Sequence, residues 1–297
     1  MINFMKYKVI YFIFSLIFLI PSAYFLINYG LKPAVDFTGG TILEIFITPK
    51  DGVELSPDSV TNFIKDTINL NEVQQINDFT FLIKAQQFDQ EISQIVKQNI
   101  KTNLGEVEEK RFETIGPTMG KELIKKTLIG VFIAAGFIMV FVTSRFKDKK
   151  YGVCAILAML HDTFITIGIF SYLGVTKGVE VDALFVTAVL TILSFSVHDT
   201  IVVYDRIRES IKLYPKLSYT DLVNKAVTET LGRSINNSIT IIFMLLALYL
   251  LGGVTTKWFV FALLIGTISG TYSSTFTAAP LLVLWEQKKN KYHTSKV

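Results

Sequence analysis

Six apolar stretches limit what this chain can fold into. They lie near residues 9–28, 127–144, 152–173, 183–204, 235–254 and 258–285. A helix needs about 20 apolar residues to cross a bilayer, and in lipid the backbone must satisfy its own hydrogen bonds. The pattern therefore predicts a polytopic α-helical membrane protein with six transmembrane helices. Composition agrees: 51% of residues are hydrophobic, 18% are charged, and the mean hydropathy is +0.45. A soluble domain carries about 25% charged residues. A disordered chain is excluded by that apolar content. One cysteine, Cys154, excludes a disulfide scaffold. With only His161, His198 and His293 beside it, no zinc or iron–sulfur ligand set is expected. The first stretch follows Lys6 and Lys8 as a signal peptide would. Its apolar run, Val9 to Leu26, outlasts a signal core of ~7–15 residues, and no A-x-A pattern follows. It is expected to be a retained helix.

Charge gives the sidedness. The net charge is +4, yet residues 30–120 carry 8 Lys/Arg against 14 Asp/Glu, a net of −6, and the remainder carries +10. Much of the excess lies at the N-terminus, at Arg145–Lys150, in Asp205–Arg233 and in the tail Glu286–Val297. Six spans put all four on one side, and short Lys/Arg-rich segments stay cytoplasmic. Both termini are expected in the cytoplasm. The expected organisation is residues 1–29 as N-terminus and first span, 30–120 as an acidic domain on the far side, and 121–297 as the remaining five spans.

The acidic domain has a readable order. Ile42–Thr48 has strand composition between Gly39-Gly40 and Pro49. Ser56 caps a helix to Leu70 with Pro57 at its first position. Val73–Ile76 and Phe79–Ala85 read as a strand pair about Asn77-Asp78. Asp89–Leu104 is a second helix and Glu106–Ile115 a last strand. This β-α-β-β-α-β order predicts a ferredoxin-like α+β domain, a fold that by itself assigns no activity.

The candidate chemistry lies in the spans. Gly116–Glu122 looks like a phosphate loop, but its spacing is one residue short and Glu122 stands where a Ser or Thr is needed. His161 and His198 have hydroxyls nearby but no nucleophile motif, so no enzyme is expected. Asp162 and Asp199 are different. A carboxylate at bilayer depth costs about 2.5–3.5 kcal/mol even on lenient scales, faces the bundle interior, and marks an ion or proton path or a polar packing contact. Ser196 stands three residues before Asp199 on the same face. Asp205, beside Arg206 and Arg208, reads as a surface ion pair. Arg233, at a polar entry with Asn236, Asn237, Ser238 and Thr240, reads equally as a basic partner for a buried acid or as a snorkelling anchor. Ser218–Leu231 reads as an amphipathic helix along the cytoplasmic face. Gly130, Ala134, Ala135 and Gly136, and Gly266, Ser269, Gly270 and Ser273, are expected to let helices approach closely.

Several segments together carry a resemblance. Val35-Asp-Phe-Thr-Gly-Gly-Thr41, Ile115-Gly-Pro-Thr-Met-Gly-Lys-Glu-Leu123 and His161-Asp162 resemble signatures of the SecF family. Ser196-Val-His-Asp-Thr-Ile-Val-Val-Tyr-Asp-Arg-Ile-Arg-Glu209 resembles its N-D-T-V-V-V-F-D-R-I-R-E block, and Leu231-Gly-Arg-Ser-Ile-Asn236 its S-R-T-I-N block. The resemblance covers nearly the whole chain. It implies an RND-type half: a subunit of the SecD–SecF accessory complex in the bacterial inner membrane, with the acidic domain in the periplasm. Such a complex uses the proton-motive force to promote late steps of polypeptide export. The implied partners are SecD, YajC, the SecYEG translocon, the translocating preprotein and membrane lipid, with no nucleic acid. No cofactor is implied beyond protons as coupling ion. Carried over by position, Asp199 is the proton-binding carboxylate and Arg233 its partner; Asp162, His198, Ser196 and Thr200 serve the relay or helix packing. Two positions depart from the family pattern: His198 replaces Asn, and Ser194 replaces Gly. A titratable His198 could join the relay or be a tolerated donor. The competing readings are half of an RND-type small-molecule exporter and a purely structural translocon scaffold.

Overall fold

The computed structural model describes residues 2–294, which fall into two units, Pro33–Leu128 and the rest of the chain. A short helical turn, Phe4–Tyr7, leads into α1 (Lys8–Tyr29), which belongs to the larger unit.

The smaller unit begins with one helical turn, α2 (Val35–Thr38), and then β1 (Gly40–Pro49). α3 (Pro57–Ile64) starts where Ser56 and Ser59 cap each other: each hydroxyl accepts from the other's backbone N–H, at 3.1 and 2.9 Å. β2 (Leu70–Asn77) and β3 (Thr80–Ala85) form a hairpin. Its turn is Asp78-Phe79, one residue beyond the expected pair, because the Asn77 carboxamide oxygen accepts from the N–H groups of Phe79 and Thr80 at 3.1 and 2.9 Å. α4 (Gln90–Asn103) is capped by Asp89, and β4 (Gly105–Ile115) closes the domain. β4 can start only at a glycine: Gly105 has φ 151°, and a Cβ there would run into the Thr48 carbonyl.

The sheet order is β2-β3-β1-β4 with every neighbouring pair antiparallel. This is the ferredoxin-like arrangement that the element order predicts. Alternation puts Leu43, Ile45 and Ile47 of β1 and Phe81, Ile83 and Ala85 of β3 on one face, fully buried against Val60, Ile64, Val96 and Ile100. A bulge at Lys110 in β4 keeps that alternation in register beyond Glu44. The helix expected to reach Leu70 stops at Ile64. Ile68 must turn into the core, and Leu70 already pairs with Ala85.

α5 (Pro117–Phe146) passes from the smaller unit into the larger at Ile129, and α6 (Lys149–Lys177), α7 (Ala183–Leu213), α8 (Tyr219–Leu251) and α9 (Val254–Ser273) follow. A π-helical stretch, Ser274–Ala278, follows, and then α10 (Ala279–Thr294). Six helices are long and apolar enough to cross a membrane, the sixth running through the π stretch from Val254 to Lys288. α6, α7 and the sixth span form the centre, with half or more of their apolar windows buried; α1, α5 and α8 are peripheral, with 11%, 6% and 17% buried. Ser218 is not the start of a separate surface helix. It caps α8 through the Asp221 N–H, and the segment runs straight into the fifth span; no proline interrupts Tyr219–Leu251, and Gly232 alone does not end it.

Candidate functional site

The site grows from a serine-rich face of the sixth span. α9 presents Ser269 and Ser273 at helical spacing, both buried, and the π stretch adds Ser274. A wide turn admits one extra residue per cycle. Consecutive serines can then serve two different acids, and they do.

Asp162, fully buried on α6, accepts four hydrogen bonds. Ser269 Oγ donates to Oδ1 at 2.7 Å, and Ser196 Oγ of α7 and Ser273 Oγ donate to Oδ2 at 2.6 and 2.5 Å. His161 Nδ1 lies 3.0 Å from Oδ1. With the imidazole proton assigned to Nδ1, the four partners fill the acceptor sites of the carboxylate. Asp199, 5% exposed on α7, accepts from Ser274 Oγ at 2.5 Å and from Ser234 Oγ of α8 at 2.7 Å, both on Oδ2. Among the described residues nothing donates to its Oδ1. One acid is saturated with donors and the other has an oxygen to spare. Adjacent serines, and Ser196 one turn before Asp199, tie the two together across three helices.

The sequence-expected residues divide accordingly. Asp162, Asp199 and Ser196 are brought together, although Ser196 serves Asp162 rather than the acid on its own helix. Thr200 is buried but donates to the Ser196 carbonyl within its own helix, at 2.9 Å, a packing contact. His198 is exposed on the outer side of α7, away from both acids. Arg233 does not meet Asp199. Around Arg233 the buried positions of α8 are Thr230, Ser234 and Ser238, spaced by four, and Arg233 stands about 100° off that line with its side chain exposed. Among the described residues it forms no ion pair. Asp205 pairs with Arg145 of α5 at 3.5 Å; Arg206 turns instead to Glu229 and Glu209. Of the small residues, Gly266 is required, since a Cβ there would strike Ile192, whereas Gly130 and Gly136 face open space. Ser234, Ser269, Ser273 and Ser274 are the site residues that sequence reasoning passed over. The i, i+4 spacing of Ser269 and Ser273 is the available signal, and small residues at that spacing suit close helix packing equally well.

Residues 95–288 match the family described as protein export membrane protein SecD/SecF, C-terminal. The chain belongs to this family. Curated relatives at nearly equal length include the protein translocase subunits SecF of Thermobaculum terrenum and Anaerolinea thermophila. Each is 38% identical, over 97% and 96% of this chain and 95% and 94% of theirs. The family member therefore aligns with SecF translocase subunits and is a multi-pass membrane protein. Among solved structures it is similar to SecDF, a translocon-associated membrane protein from Thermus, at TM-score 0.82 and 31% identity. That likeness covers 96% of this chain and 39% of the other. It is also similar to SecDF in a super-membrane-facing form, at TM-score 0.74, with 100% of this chain and 40% of that one covered.

Proposed function

We propose that this chain is the SecF half of a SecD–SecF assembly that draws polypeptide across the bacterial inner membrane at the expense of a proton gradient. Asp199 is the group that takes up the proton. The observation that carries this reading is the pair of buried carboxylates joined through Ser273 and Ser274. Asp162 is fully supplied with donors; Asp199 has an Oδ1 to which no described residue donates, open to a proton. Protonation removes a buried charge and loosens the grip of Ser234 and Ser274, which couples the proton to the packing of α7, α8 and the sixth span. One charge moving through 100 mV releases about 2.3 kcal/mol, enough to bias a rocking motion between two packed arrangements.

Arg233 keeps its proposed role as the basic partner in a second arrangement, reached by rotating α8 about its axis by roughly one residue, ~100°. The exposed faces of α5 and α8, and the greater length of the SecDF chains, support SecD as the covering half. SecYEG, YajC and the preprotein are the proposed further partners. Both termini lie in the cytoplasm on this reading, and the Pro33–Leu128 unit in the periplasm.

The test is export of a reporter protein into inverted membrane vesicles, with and without an imposed proton gradient. Asp199→Asn, which keeps size and hydrogen bonding but cannot titrate, is expected to co-purify with SecD and to lose the gradient-dependent component. Wild-type stimulation by the gradient in that variant sinks the assignment. A structural scaffold would tolerate the change.

A further inference from the structure

We propose that a crevice between α1, α6 and α9 binds a neutral membrane lipid through a hydroxyl headgroup held by His161. The crevice encloses about 370 Å³, within the ~300–1,000 Å³ of small-molecule sites. Its walls are Phe14 and Phe18 of α1, Ile165 and Ile169 of α6, and Ile268 of α9, with His161 and Tyr272 stacked at one end. Phe14, Phe18 and Ile268 are half-exposed, so the opening is on the side of the helix bundle, where a six-span protein meets hydrocarbon.

The polar end specifies the ligand. The His161 side chain is 6% exposed and its Nδ1 is committed to Asp162; its Nε2 is buried without a partner. A buried imidazole nitrogen in apolar surroundings requires one. Ser15 of α1, whose Oγ is also buried without a partner, and Ser269 lie in the same wall; the rest of the crevice is hydrocarbon, which water alone would leave unfilled. Depth narrows the choice. At 1.5 Å per residue, His161 lies ~18 Å from the start of α6 and ~24 Å from its end, near mid-membrane. A charged phosphate headgroup is not carried to that depth, and a bare acyl tail leaves Nε2 unsatisfied. A hydroxyl both donates and accepts. It therefore pairs with Nε2, while its alkyl chain fills the isoleucine and phenylalanine walls.

The experiment uses the full chain in its native membrane complex, with hexadecanol bearing a mid-chain diazirine as probe and the corresponding methyl ether as control. The alcohol is expected to label peptides containing Ile165 or Ile268. Unlabelled hexadecanol should compete about 2- to 10-fold better than hexadecyl methyl ether, as one hydrogen bond implies. His161→Leu should bring alcohol labelling down to the ether level. Ile268→Trp, at the mouth and clear of the acids, should lower both. Equal competition by alcohol and ether in the wild type, labelling unchanged by Ile268→Trp, or no labelling of these peptides overturns the proposal.

Discussion

At the residue scale, the carboxylates were legible because they are rare and costly in spans; their donors were not, because serine is commonplace there. Asp162 and Asp199 stand out in the sequence, whereas Ser234 and Ser274 declare themselves only when three helices are docked. Arg233 illustrates the converse. Its proximity in sequence to the right serine says nothing of direction, since neighbours on a helix diverge by about 100°. Two expectations belong to this scale. Ser273→Ala leaves one Asp162 oxygen short of a buried donor and should cost about 1–3 kcal/mol of stability, read as a lower unfolding temperature in detergent. Ser234→Ala affects the acid with the spare oxygen and should show mainly in export. In the outer domain, the Arg111 hydrogen bond holds the Glu113 carboxyl below its ordinary value. A lowered carboxyl stabilises above the unfolded value, and that contribution is lost as pH falls through the folded one. The pair is half-exposed, so Arg111→Ala should cost no more than about 1 kcal/mol at pH 7. The difference should shrink in paired melts as pH is taken below the ordinary carboxyl value.

At the element scale, periodicity and caps located the four strands and the two longer helices of the outer domain, but not the one-turn α2. Where it erred, tertiary pairing decided: α3 ends early because Ile68 is drawn into the core and β2 must reach Ala85. Ser218–Leu231 misled because its polar residues suit a surface helix and Gly232 follows it as a stop would; the helix nonetheless runs on through Gly232 to Leu251. Glycine needs the same context. Gly168 lies so close to Ser22 of α1 that any Cβ overlaps that residue, whereas Gly130 opens on empty space. Gly168→Leu should therefore force α1 from α6 and lower stability by at least the ~1–3 kcal/mol of ordinary overpacking. Gly130→Leu should leave the isolated chain's unfolding temperature unchanged. Equal effects in thermal unfolding would mean that α1 and α6 do not pack as described.

For the whole molecule, charge asymmetry leads to the topology. Single cysteines at Asp51 or Asn77 are expected to react with impermeant maleimide from the periplasm, and those at Lys149 or Lys288 only after the cytoplasmic side is opened. Reversed labelling would overturn the orientation. Residues 33–116 expressed alone should give a mixed helix-and-strand circular dichroism spectrum, as the β2-β3-β1-β4 sheet with two covering helices requires. An all-helical spectrum would contradict it. The six spans and the outer fold were readable because they rest on patterns repeated over many residues. The inter-helix site was not, because it rests on single contacts between segments far apart in the chain.

The π stretch in the sixth span has a genetic consequence. A wide turn is one residue more than an α-helix needs, an insertion kept in place. Removing Thr275 would let Ser274–Ala278 close into ordinary α geometry, with α9 and α10 retaining their faces. The same deletion elsewhere in the span would swing everything downstream by about 100°. The span should thus accept a shortening here that it accepts nowhere else, with Ser269, Ser273 and Ser274, all ahead of the deletion, still turned to their two acids.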